Sequence, residues 1–157
     1  MLFKRPKIPP PRPPDLPFDE EARDALGRAT DQARSANATA VHAEHLLLAL
    51  LADPDGLVAR AFTRLGHPVD DMRRRVEHAA PPRPWGLRAP VLPFADDVKG
   101  AIEFAMIEAR AAARTQVGPA ELVLGVVQSP RGAPARVIAI MDMSPGAIRA
   151  ALKAESE

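Results

Sequence analysis

The residues best suited to chemistry are His42-Ala43-Glu44-His45, two imidazoles and a carboxylate within four positions. Imidazole nitrogen and carboxylate oxygen are both zinc donors, so the cluster raises a metal-dependent hydrolase as one reading. Its spacing argues against that reading. The zinc-protease pattern, His-Glu-x-x-His, sets the acid directly after the first His and the second His one turn further on. Here Ala43 separates His42 from Glu44, and His67 and His78 stand alone, leaving no third ligand evident. The expectation is therefore no metal, no cofactor and no catalytic residue, with His45 a hydrogen-bonded histidine at a helix start. The absence of Cys removes thiol catalysis, disulfides and cysteine-ligated zinc, and fits a reducing, cytoplasmic setting. Arg73-Arg74-Arg75 reads as a solvated helix face, because a net charge of +1 supplies no field for nucleic acid or an anionic membrane.

The elements that must position these residues follow from the apolar pattern. Five of the six residues Leu46–Leu51 are Leu, so a helix there is apolar nearly all round and must be covered on several sides. Before it, Asp19 is a good N-cap, Glu20 and Glu21 suit the first turn, and Ala22, Ala25, Leu26, Ala29 and Ala33 recur at helical spacing. After it, Asp53-Pro54 is a stop, Gly56 opens a third helix and Gly66 ends it. A fourth, basic helix carries Met72 and Val76 inward. No apolar run approaches the roughly 20 residues of a membrane-spanning helix.

The unit then repeats. Leu92-Pro93-Phe94 restates Leu16-Pro17-Phe18, and the shift of 76 residues between Phe18 and Phe94 holds without a gap. Val41 falls on Val117, Leu48 on Leu124, Pro54 on Pro130, Gly56 on Gly132 and Arg73 on Arg149, punctuation that chance does not keep in register. Two units of about 60 residues are each too small to bury a secure core alone. The expectation is one all-α domain of eight helices, built as two pseudo-twofold-related four-helix repeats at 18–78 and 93–155. Residues 1–17 read as a disordered Pro-rich tail and 79–92 as a Pro-rich linker whose Trp85 lies against one repeat. Pseudo-symmetry suggests that the first and fifth helices lie side by side, leaving a groove at their N-termini.

Phe18-Asp19-Glu20-Glu21-Ala22-Arg23, Ala33-Arg34, Glu44-His45-Leu46-Leu47-Leu48 and Asp55-Gly56-Leu57-Val58-Ala59-Arg60, with the second copy from Leu92, resemble the double N-terminal repeat of the Clp unfoldases. The resemblance covers about residues 16 to 155. It implies a non-enzymatic, monomeric docking domain that receives peptides and adaptor proteins for a proteolytic chaperone machinery. No Gly-x-x-x-x-Gly-Lys-Ser/Thr accompanies the repeats, so they carry no phosphate loop of their own.

The resemblance also assigns sites. Glu44 matches an acid that grips the guanidinium of phosphorylated arginine, but Ala43 replaces the family's Thr, and Pro119-Ala120-Glu121 stands where the second Thr-Glu-His belongs. Arg23, Phe94, Lys99 and Glu103 match positions lining the groove where adaptors and cyclic-peptide antibiotics bind. Two roles follow from this: an adaptor or regulator that docks on the Clp machinery, or a decoy that sequesters its ligands.

Overall fold

The structure, a computed structural model, describes residues 15–81 and 90–157. The residues expected to form the leader up to Pro14 and the middle of the linker, Trp85 included, lie outside the described residues. Among the described residues eight helices run in order: α1 (Glu20–Ser35), α2 (Ala43–Leu50), α3 (Leu57–Arg64), α4 (Val69–Ala79), α5 (Asp96–Ala111), α6 (Pro119–Gln128), α7 (Ala133–Ile140) and α8 (Pro145–Ser156). The fold is all-α; among the described residues no strand forms, and none of the helices is long and apolar enough to cross a membrane.

Local chemistry sets the helix ends. Asp19 caps α1, its Oδ1 accepting the N–H of Ala22 at 2.8 Å, and Glu20 and Glu21 occupy the first turn. Gly56 caps α3, and Gly66 ends it with a φ of +88°, the left-handed conformation that glycine adopts without steric penalty. The duplication extends to these turns. Asn37 and Ala113 sit at +57° and +55°, and Asp142 takes Gly66's place at +55°.

The clearest mark of the pseudo-twofold is at its axis. Phe18 bridges to Val117 and Phe94 to Val41, pairs that exchange under the repeat shift. Each bridge is held by the same two bonds: Asp19 N–H to Val117 C=O and Val117 N–H to Pro17 C=O on one side, Ala95 N–H to Val41 C=O and Val41 N–H to Pro93 C=O on the other, all at 2.9 Å.

The twofold brings α2 and α6 together rather than α1 and α5. Helices α1 and α5 pack on their own repeat's Leu-rich helix and reach across to the other's, which corrects the side-by-side arrangement expected from symmetry. The reason is the apolar circumference of α2 and α6: with Leu46, Leu47, Leu122, Val123 and Val126 fully buried, these two take the centre and everything else covers them. The repeats also interlock, α3 packing on α8 and α7 on α4. Glu155 of α8 receives Arg60 and Arg64 of α3, each at 3.3 Å, across that seam.

Candidate functional site

Two concave regions border α5, one along its length and one at its N-terminus. The first is a cleft of about 510 Å³ along its outer face, lined by Asp15, Lys99, Ile102, Glu103, Met106, Ile107 and Arg110. Helical spacing produces this face: Ile102 and Met106 are one turn apart, as are Lys99 and Glu103, so apolar side chains form the floor and opposite charges the rim. Ile107 is 58% exposed, a large apolar side chain presented to solvent. The chain entering α1 closes one end, where the N–H of Leu16 meets the Sδ of Met106 at 3.2 Å.

The second region, about 590 Å³, is lined by residues that include His42, Phe94, Asp96, Asp97, Arg131 and Arg136. Asp97 organises its floor. Its Oδ2 accepts the N–H of Ala43 at 3.1 Å, so a carboxylate from α5 caps the start of α2 across the pseudo-twofold. Its Oδ1 accepts the N–H of Val98 at 2.8 Å, and Nδ1 of His42 lies 3.7 Å from Oδ2. Burial pushes the Asp97 carboxyl up, but the His42 ring and the N–H groups of Ala43 and Val98 outweigh it and hold the group below the ordinary carboxylate value.

The residues singled out in the sequence divide between these regions. Lys99 and Glu103 line the α5 cleft, Phe94 lines the second cavity, and Arg23 bonds the carbonyl of Phe18 through Nη1 at 3.1 Å. Phe94 and Phe18 are both half-buried against the core beside the axial bridges. Glu44 is 3% exposed, at the second position of α2. Nδ1 of His45 accepts the N–H of His42 at 2.9 Å, a helix-start role that takes this nitrogen out of any ligand set.

Sequence reasoning missed Asp97 and the apolar floor. Ile102, Met106 and Ile107 were detectable as a second apolar stripe on a helix whose first, Val98, Ala101, Ala105 and Ala109, already faces the core. Asp97 gave no signal, because its partner Ala43 is 54 positions away.

Comparison with known proteins identifies the family and the fold. The family model for the Clp repeat (R) N-terminal domain matches residues 17–141. The chain is 30% identical over 132 residues to chloroplastic chaperone protein ClpC1 of Oryza sativa subsp. japonica, a match covering 84% of the chain and 14% of that protein. It is 32% identical over 121 residues to the ClpA homolog of Cyanidium caldarium, an ATP-dependent Clp protease ATP-binding subunit, covering 77% and 14%. The chain thus spans about a seventh of the length of these relatives. Among solved structures it is similar to the N-terminal domain of the chaperone ClpD from Arabidopsis thaliana, with a TM-score of 0.65, 23% identity and coverage of 88% and 94%. A complex of a ClpV N-domain with a VipB peptide matches with a TM-score of 0.71, 14% identity and coverage of 88% of each chain. These structures share the fold.

Proposed function

Because this chain belongs to the Clp repeat (R) N-terminal domain family, we propose that it is a non-enzymatic docking module, receiving peptide or adaptor segments for a Clp-type unfoldase in the cytoplasm. The observation that carries the reading is the α5 cleft: an apolar floor of Ile102, Met106 and Ile107 between Lys99, Glu103 and Arg110. An apolar anchor can bury there while the rim charges fix its direction. That an N-domain of the same fold is known with a VipB peptide bound adds support for a peptide as the occupant. The chain acts as a monomer in this reading, either as an adaptor or regulator or as a decoy for Clp ligands such as cyclic-peptide antibiotics. Phosphoarginine capture is the weaker use of the fold here, since Glu44 is buried and its counterpart is Ala120.

Calorimetric titration with a cyclic-peptide Clp ligand tests the cleft. Ile107→Asp, at an exposed position, is expected to weaken binding at least tenfold, in line with the loss of an apolar hot spot. No binding by the wild type, or equal binding by the variant, would end the cleft reading. Phe94→Ala then reports whether the second cavity takes part. Pull-down with and without residues 1–17 separates the roles, since an adaptor recovers an unfoldase ring and a decoy does not.

A further inference from the structure

We propose that His42, Glu44 and Asp97 form a binding site for one divalent transition-metal ion, tying the start of α2 to the start of α5. The sequence groups His42 and Glu44 with His45. The fold substitutes Asp97, and the candidate donor atoms of His42, Glu44 and Asp97 lie within 4.8 Å of one another.

The donor set suits such an ion. One imidazole nitrogen and two carboxylates are borderline-to-hard ligands of the kind zinc accepts, and three protein ligands leave a coordination position open. Charge argues the same way. Two carboxylates from different helices are buried near each other, and a doubly charged cation would offset the charge of both. The carboxylate is already oriented: the Ala43 N–H fixes Oδ2 of Asp97 and the Val98 N–H fixes Oδ1, which is how ligand carboxylates are held in metal sites.

Donors about 2.0–2.2 Å from one ion must draw closer together than they stand here. His42 can supply that movement, since its side chain is 18% exposed and faces the open cavity. The cavity gives the ion a path to His42 and Asp97, which line it.

The other repeat is a built-in control. Under the repeat shift His42, Glu44 and Asp97 correspond to Gly118, Ala120 and Glu21, a set with a single donor. One ion per chain is therefore expected, not two. The site is separate from the α5 cleft, so loss of peptide binding and loss of metal binding are independent results.

The test uses the chelator-treated full chain. Zn²⁺ titrated by calorimetry should bind one ion per chain, Co²⁺ should give the visible absorption of a low-coordinate site, and the unfolding midpoint should rise with Zn²⁺ concentration. His42→Ala and Asp97→Asn should each weaken Zn²⁺ binding tenfold or more, whereas Glu21→Gln should leave it unchanged. Asn at 97 can still accept the Ala43 N–H, so the cap survives the loss of charge; should that variant fail to fold, His42→Ala decides alone. No Zn²⁺ binding, or binding as tight in the folded variants as in the wild type, overturns the proposal. Binding that follows His67 or His78 instead does the same.

Discussion

The two Leu-rich helices begin at equivalent places and are closed by different means. The first N–H of α2, on Ala43, is received by Asp97 from the opposite repeat. The equivalent residue of α6 is Pro119, which has no N–H to receive, and Glu21, the counterpart of Asp97, stays at the surface beside it. Two positions further along the difference recurs. His45 Nδ1 receives the N–H of His42, whereas Glu121 Oε2 receives that of Gly118 at 3.0 Å and its other oxygen holds Arg114 at 2.8 Å. The same backbone demand is met once by a cross-repeat carboxylate and a ring nitrogen, once by an imino acid and an internally paired acid. Each repeat can therefore change its outer surface while its helix start is kept.

The core shows the opposite asymmetry, and breaking it should have the largest effect. A methyl group on Gly125 would lie 2.0 Å from the carbonyl oxygen of Ala101, a backbone atom that cannot swing aside. Its counterpart Ala49 carries that methyl and is fully buried. Gly125→Ala is expected to cost about 3 kcal/mol, at the upper end for overpacking, whereas Ala49→Gly should cost only about 1 kcal/mol. Urea midpoints at constant slope measure both; equal effects would mean that α5 and α6 approach no more closely than α1 and α2.

Next comes the cross-repeat cap. Asp97→Ala leaves the Ala43 N–H unreceived and should cost about 1–2 kcal/mol, against less than about 0.5 kcal/mol for Glu21→Ala. The pH dependence carries the same signature. With its folded-state pKa below the unfolded 3.8, Asp97 binds fewer protons folded than unfolded near that value. Its contribution is complete above the unfolded pKa and is lost as pH falls through the folded one. Asp97→Asn should flatten the acid limb of the stability curve.

What could be read from the sequence divides along physical lines. Helices, caps and the duplication were legible because they are local or periodic: Asp19, Gly56, Gly66 and Pro119 act within a few residues of themselves, and the Leu-Pro-Phe repeats punctuate at fixed distance. The contact of α2 with α6 was implicit in their apolar circumference, yet symmetry alone suggested α1 and α5. Of the candidate groove, Lys99 and Glu103 fall in one cleft because they share a helix face, while Phe94 belongs to an axial bridge and Arg23, on α1, turns to the carbonyl of Phe18. Asp97 was beyond reach, since its role depends on a helix from the other repeat arriving beside Ala43.

The smallest effect is also the sharpest test of why the two helix starts differ. If Pro119 made the cross-repeat cap unnecessary, then restoring an N–H should make Glu21 matter. Pro119→Ala removes a residue that restricts the unfolded chain, a loss of about 0.4–1 kcal/mol, and creates a donor at the start of α6. Glu21 and Pro119 line the same cavity, so this carboxylate is the group placed to accept it. Glu21→Ala should then cost about 0.5–1 kcal/mol more in the Pro119→Ala background than in the wild type, an interaction energy a double-mutant cycle resolves. A cycle that closes to within about 0.3 kcal/mol would show that Glu21 does not turn to the helix start when a donor appears. The exposed acid would then owe its place to the surface it presents rather than to a cap that Pro119 made redundant.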